Sequence, residues 1–501
     1  MTNFKPTAEQ QAIVEAYTST TDNLLVNALA GASKTTTLEL MARATPDTPI
    51  LLLAFNKRVA DEMKERMPNN CTAMTLNSIG HRAWGALTGR RLKLDTSKMR
   101  KLVRLWLEEH PEYIEDADEF YEGPYLDIMN EVRRIKHFGW LPEGPARQYG
   151  PFKAKPLMDD EEYFSRLEYD YEDWHLDLFR DIMEASVKLA WQGTIDFDDQ
   201  ILMTTVFPAS FKSYPVVMID EAQDLSSLNH AMLAKIVGRN RLIAVGDPFQ
   251  AIYAFRGAHQ QSMELLQQRF HMTELGLSIS FRCPIAVTKA AQFRAPHMKW
   301  PEWAAQGRVA SLDVYGVRDI PEHSVIICRN NAPLFSLAIR LLNAGVHVEI
   351  VGIDIAKRLS KLLATFGGSD MPQEEVLAAI ENWTTAELAK SKTKYSEERK
   401  IDMADCLRSF AASTATLGEA IEKVTKVFEA NGPLKLMTGH KAKGAEFHDV
   451  FLLDTHVMLN RIARAKENGE PVGQEENILY VMITRAMSNL TYIRSDGFVN
   501  K

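Results

Sequence analysis

Ala28-Leu29-Ala30-Gly31-Ala32-Ser33-Lys34-Thr35 follows the short apolar run Leu24-Leu25-Val26 and leads into a helix-like segment from Thr36. A buried strand, a tight loop and a helix in that order aim backbone N–H groups at an anion. The amides of Ala30, Gly31, Ala32, Ser33 and Thr36 are placed to cradle a triphosphate. Lys34 can reach the outer phosphates, and the Thr35 hydroxyl can ligate Mg2+. A second stretch, Asp220-Glu221-Ala222-Gln223-Asp224, follows another apolar run, Val216–Ile219. It brings two carboxylates to the C-terminal end of a strand, one to hold a metal ion and one to activate water. The two stretches together imply a site that hydrolyses a nucleoside triphosphate.

Working outward, apolar runs of strand length recur at Leu24–Val26, Ile50–Ala54, Val216–Ile219, Leu242–Val245, Val325–Cys328, Val346–Val351 and Val450–Leu453. Most lead into Gly-, Asp- or Asn-bearing loops and then amphipathic helical patterns, the alternation of an α/β protein with parallel sheets. The runs form two sets, one before about residue 280 and one after it. Residues 81–190 and 366–430 read as helical insertions, the latter with helices at Gln373–Trp383 and Thr416–Glu429. A chain of 501 residues is long enough for about two to four domains.

Composition excludes several classes. Hydrophobic residues make up 46% and charged residues 25%, as in soluble globular proteins. No apolar run approaches the roughly 20 residues that span a bilayer, and Met1 to Gln10 has no leader character, so a cytoplasmic protein is expected. Cys71, Cys283, Cys328 and Cys406 lie far apart, as free thiols do in a reducing compartment. The 13 histidines show no metal-binding spacing. The net charge of −8 still permits a locally basic groove for nucleic acid. The basic clusters Lys98–Arg104 and Arg133-Arg134-Lys136 read as solvated faces. Asp196-Phe197-Asp198-Asp199 reads as a helix start, where acids favour the N-terminal dipole.

Four further motifs follow in order: Gly246-Asp247-Pro248-Phe249-Gln250-Ala251-Ile252-Tyr253-Ala254-Phe255-Arg256-Gly257, Ser280-Phe281-Arg282-Cys283-Pro284, Thr438-Gly439-His440-Lys441-Ala442-Lys443-Gly444-Ala445-Glu446-Phe447, and Glu475-Glu476 through Thr484-Arg485-Ala486. With the first two stretches, this series resembles the motif set of the UvrD/Rep-type superfamily 1 DNA helicases, and it covers almost the whole chain. The resemblance implies two RecA-like P-loop lobes. The first would comprise 1–80 and 191–280 around the insertion 81–190, and the second 281–365 and 431–501 around a reduced insertion at 366–430.

The resemblance also assigns roles. Gln10, with Gln11 as the alternative, would read adenine, because an amide both donates and accepts. Lys34 and Thr35 would hold phosphate and Mg2+, Asp220 would support the metal and Glu221 would be the base. Gln250 would sense the γ-phosphate. Arg282 and Arg485 would act as arginine fingers, and Glu446 would lie near the ribose. Phe55, Thr75, Asn77, Tyr253, Phe255, Thr438 and His440 would contact single-stranded DNA through stacking and phosphate bonds. The implied activity is an ATP- and Mg2+-dependent helicase or translocase, moving 3′→5′ as a monomer on single strands and at single-strand/duplex junctions.

Three departures qualify it. Ser33 stands where the loop normally has Gly, whose freedom at unusual dihedrals suits close phosphate approach. Asn77 stands where many relatives have His. The insertion 366–430 is far shorter than the subdomain that regulates unwinding in larger members. Ser33 is the specific support for an alternative, an ATP-gated clamp on single-stranded DNA that hydrolyses slowly and does not unwind.

Overall fold

The structure, a computed structural model, describes residues 5–114, 124–167, 171–252, 261–391 and 394–499. It divides between Ile279 and Ser280 into two compact units.

The first unit is built on a parallel sheet of β1 (Leu24–Ala28), β2 (Ile50–Ala54), β3 (Cys71–Thr75), β4 (Val216–Ile219), β5 (Arg241–Gly246) and β6 (Thr273–Leu277), in the order β6-β1-β5-β4-β2-β3. Because successive strand residues point to opposite faces, Leu24, Val26 and Leu52 enter one core with Ile13, Leu38 and Met41. Leu25, Leu51 and Leu53 enter a second core with Met232 and Leu233. Both faces are covered, which is why these strands read as unbroken apolar runs rather than alternating ones. The order places β1, β5 and β4 side by side, so the loops after Ala28, Gly246 and Ile219 emerge together at the carboxyl edge. In parallel α/β sheets this is the edge where ligands bind.

The described residues of 81–190 are mainly helical, with Lys98–Glu109, Pro124–Phe138 and Asp173–Trp191 as the long helices. The solvated-face reading fails here for Lys98 and Lys136, which are 1% and 0% exposed. Lys136 Nζ donates to Asp196 Oδ2 at 2.6 Å and Asp199 Oδ1 at 2.8 Å, and Lys98 Nζ to Asp199 Oδ2 at 2.6 Å. Burial opposes charge on Lys136, but its facing carboxylates outweigh that and raise its pKa. Burial also disfavours the Asp199 anion, yet the two lysines hold its pKa down to about 2. Asp196 and Asp199 also accept each other's backbone N–H, so the helix-start reading of this segment holds. The carboxylates are already inside, and the lysines are buried to meet them.

The second unit carries β7 (Arg308–Leu312), β8 (Val325–Cys328), β9 (Val348–Ile350), β10 (Leu434–Thr438), β11 (Phe447–Leu453) and β12 (Ala486–Ile493), all parallel, in the order β7-β12-β11-β8-β10-β9. The helices Ile353–Ala364, Gln373–Ala389, Lys394–Ala411 and Leu417–Glu429 intervene between β9 and β10. Among the described residues they show no core separate from that of the sheet. Leu359, Val376, Ile380, Leu407, Phe410 and Val424 share one cluster with Ile326, Phe335, Leu341 and Phe451.

Candidate nucleotide and strand-binding site

Three loops build the site at the carboxyl edge of the first sheet. The loop after β1 turns at Gly31, with φ +75°, and reaches the helix Lys34–Ala44 through Ser33, with φ +56° and ψ +45°. Ser33 thus holds a left-handed conformation that Gly reaches freely but L-residues, Asn and Asp aside, rarely adopt, and its hydroxyl makes no capping bond. Ala30 and Ala32 are buried, while Thr35 and Thr36 are partly exposed. Thr36 Oγ1 accepts from Arg66.

Lys34 Nζ lies 3.3 Å from Glu221 Oε1. Burial opposes its charge, but Glu221, Asp220 and Asp247 together raise its pKa. Asp220 Oδ1 accepts the Glu221 N–H at 2.9 Å. Burial, then the neighbouring Glu221, pushes the Asp220 carboxyl up to about 7. Glu221 itself has φ +53°, a second strained residue at the same edge. Gln250 is 5% exposed and donates from Nε2 to Asp247 Oδ2 at 2.7 Å.

Sequence reasoning passed over Gln223 and Asp247, which join these parts. Gln223 Nε2 donates to Glu221 Oε2, and Gln223 Oε1 accepts the Asp247 N–H at 3.0 Å. A continuous bonded path therefore runs from Lys34 through Glu221, Gln223 and Asp247 to Gln250. Both residues lie inside the quoted motifs, but no spacing rule marks them.

The chemistry of the donors fits Mg2+. Asp220 is a buried carboxylate short of positive charge, and Thr35 offers a hydroxyl oxygen. Among the described residues no three His, Cys, Asp or Glu side chains group to cage a metal. A hard cation held by one carboxylate, one hydroxyl, phosphates and water suits that donor set.

Gln10 is 1% exposed. Its Oε1 accepts the Thr7 N–H in a capping box, and its Nε2 donates to Thr37 Oγ1 at 3.2 Å. Gln11 is exposed and donates to the Pro6 carbonyl. Of the pair, Gln10 is the one bonded to the helix that carries Lys34 and Thr35.

The strand-contact residues fall into two groups. Phe55 is 48% exposed and shares an open groove of about 800 Å³ with Lys57, Lys64, Thr75, Asn77, Arg82 and Phe197. Thr75 caps the helix Leu76–Thr88 by accepting the Ser78 N–H. Asn77 Nδ2 donates to the Phe197 carbonyl at 2.7 Å, fixing the backbone of a ring that is itself 53% exposed. Phe197 was missed because the acids around it explained its segment. The signal was a large apolar residue set between two acids, of which the fold buries Asp196 and leaves Asp198 half-exposed. Tyr253 and Phe255 lie outside the described residues.

In the second unit, Thr438 ends β10 and His440 lies in the short helix Gly439–Ala442. Arg282 Nε donates to Glu446 Oε2 at 2.7 Å. Arg485 is 1% exposed. It donates to the Val481 carbonyl at 2.9 Å, the Ala445 carbonyl at 3.0 Å and Thr484 Oγ1 at 3.2 Å.

Two parallel sheets, each packed with helices, define the RecA-like, two-lobed class of P-loop folds. Residues 7–271 match the UvrD/REP helicase N-terminal domain, and residues 354–496 match the UvrD-like helicase C-terminal domain. The chain belongs to the UvrD/Rep helicase family. It is similar to F-box DNA helicase protein 1 of Schizosaccharomyces pombe, with 26% identity over 535 residues, 97% of this chain and 57% of that protein. It is also similar to F-box DNA helicase 1 of Gallus gallus, with 25% identity over 99% of this chain and 50% of that protein. A third relative is the ATP-dependent DNA helicase PcrA of Bacillus subtilis, with 24% identity over 68% of this chain and 49% of that protein. The chain spans about half the length of these curated relatives.

Proposed function

We propose that this chain is an ATP-dependent DNA translocase and helicase, moving 3′→5′ on single-stranded DNA. The observation that carries the reading is the Lys34–Glu221–Gln223–Asp247–Gln250 path at the carboxyl edge of the first sheet. Lys34 and Glu221 pair with each other at 3.3 Å. A triphosphate in the loop offers Lys34 more negative charge than one carboxylate does, so Lys34 turns to the phosphates and Glu221 is freed. Glu221 then takes the proton of the water that attacks the γ-phosphate. Mg2+, held by Thr35 and Asp220, would supply charge neutralisation at the phosphate oxygens. Gln250, tied to Glu221 through Asp247 and Gln223, would sense the change in Glu221 and link it to Tyr253 and Phe255 further along the same motif.

By the family resemblance, Arg282 and Arg485 would serve as arginine fingers that offset transition-state charge. An arginine finger contributes about 10³–10⁵ in rate in related phosphoryl transfer. Phe55 and Phe197 supply exposed aromatic faces on which bases stack, with Lys57, Lys64 and Arg82 near the phosphates. In the second unit Thr438 and His440 take the strand. Alternate gripping by the two units, paced by γ-phosphate binding and loss, moves the strand.

The test is ATP hydrolysis with and without a dT oligonucleotide, for the wild type and Lys34→Ala, followed by displacement of streptavidin from a blocked 3′ or 5′ end. Strand-stimulated hydrolysis that Lys34→Ala abolishes, with displacement at one end, is the expected result. Strand binding without displacement would favour the clamp reading that Ser33 raises.

A further inference from the structure

The two arginines of the second unit are held by one turn. Glu446 binds Arg282 through its carboxylate, and the residue before it, Ala445, binds Arg485 through its carbonyl. The turn bends at Gly444, with φ +83°, and closes with the Ala445 N–H donating to the Ala442 carbonyl at 3.1 Å. On its far side the Phe447 N–H donates to the Arg485 carbonyl at 2.9 Å. Another bond joins the arginine-bearing segments directly, as Cys283 Sγ donates to the Thr484 carbonyl at 3.7 Å. Residues 442–447, 282–283 and 484–485 are therefore one bonded assembly.

The turn is also the far end of the helix Gly439–Ala442, whose near end carries Thr438 and His440. That helix lies hard against Gly473–Ile483, the helix leading into Arg485. A Cβ on Gly439 would meet Met482 Cγ at 2.8 Å and Ile478 Cγ2 at 3.1 Å. With no slack at that contact, a displacement at Thr438–His440 shifts the turn, the Arg485 helix or both. Close-packed interiors pass such shifts on rather than absorb them.

We propose that Glu446 is a positioning residue for Arg282, and that the turn Gly444–Glu446 restrains both arginines until a strand engages Thr438–His440. The proposal rests on the reading of Arg282 and Arg485 as phosphate-facing groups. Strand binding moves the short helix, the turn gives up Arg282 from Glu446 and Arg485 from Ala445, and the guanidiniums become available to the γ-phosphate. Hydrolysis then depends on the strand because the arginines are otherwise bonded within their own unit.

Glu446→Gln keeps the shape of the side chain and removes its charge. At 51% side-chain exposure, the position tolerates the change without unfolding. The expected result is a rise in the strand-independent kcat of about fivefold, the size that a partly exposed ion pair corresponds to. The strand-stimulated rate stays near that of the wild type, so the stimulation ratio falls by the same factor. Adding Arg282→Ala cancels the gain.

If Glu446 serves only as a ribose ligand, Glu446→Gln raises the KM for ATP and leaves the stimulation ratio intact, which overturns the proposal. Hydrogen exchange supplies a readout that needs no hydrolysis. The Ala445 and Phe447 amides should exchange faster in Glu446→Gln than in the wild type, and faster in the wild type once the dT oligonucleotide is added. Unchanged exchange at both amides overturns the proposal. A wild type without strand-stimulated hydrolysis instead counts against the functional reading, and the comparison of the two nucleotide-free proteins still judges the restraint.

Discussion

Replacing Ser33 by Gly should stabilise the protein, although Gly usually weakens a helix start that Ser could cap. Ser33 sits at φ +56° and ψ +45° and makes no capping bond with its side chain. Holding an L-residue in the left-handed region costs about 1–2 kcal/mol, which Gly avoids. Gly gives back about 0.4–1 kcal/mol through the greater freedom of the unfolded chain. The balance is a gain of up to about 1.6 kcal/mol, with about 0.8 at mid-range, or about 2–3 °C in Tm for a unit of this size. Ser33→Ala keeps a Cβ and loses only an unbonded hydroxyl, so it should match the wild type. Ser33→Val adds branching at the same dihedral and should melt lower than both. Thermal denaturation of the nucleotide-free proteins gives the order Gly above Ser and Ala, with Val last. A Gly variant no more stable than Ala, or a Val variant as stable as Ser, would refute the argument from strain.

Asp220 tests the electrostatics of the site. Its folded-state pKa of about 7 lies above the ordinary 3.8, so between those values the folded chain binds the proton more readily than the unfolded one. Stability therefore declines as pH rises through that window and stays lower above it. Metal-free Asp220→Asn should melt at least about 3 °C higher than the wild type at pH 8, with the difference gone near pH 4 in a pH series of melts. Lys136→Met leaves Asp196 and Asp199 sharing one lysine, and urea unfolding should show a loss of about 3–5 kcal/mol. Phe55→Ala removes a stacking face worth about 1–3 kcal/mol per base. Fluorescence anisotropy with a dT oligonucleotide should show the weaker binding while ATP affinity holds. Phe410→Ala should cost about 3–5 kcal/mol. Hydrogen exchange should show Val325–Cys328 and Lys394–Ala411 losing protection together, whereas loss confined to the helices would contradict a shared core.

The fully buried strands were legible because water is excluded from both faces. Ile50–Ala54 and Val325–Cys328 read as apolar from end to end, and the structure returns both with those bounds. Strands Cys71–Thr75, Thr273–Leu277 and Arg308–Leu312 escaped because they lie at sheet edges, where polar and apolar residues mix. Leu434–Thr438 and Ala486–Ile493 carry Lys435 and Ser488-Asn489, which dilute the pattern. The positions of the loop after Ala28 and of the acids after Ile219 were legible because each follows a short apolar strand. Lys98 and Lys136 were misread because burial of a lysine depends on carboxylates distant in sequence. Gln223 was invisible for a related reason, since a linking amide is recognised only by what lies at its two ends.

The helices between Ile353 and Glu429 bury their apolar faces in the same interior as the second sheet. A segment without an interior of its own is not a cassette that evolution or an engineer can remove, exchange or hinge as a rigid arm. Changes there reach the chain's behaviour in two ways: by altering its solvent-facing side, or by loosening the sheet whose strand Ala486–Ile493 directly follows Arg485. Diversification of this compact form is therefore confined to the outer surface of those helices, where new contacts can be gained without disturbing the sheet beneath.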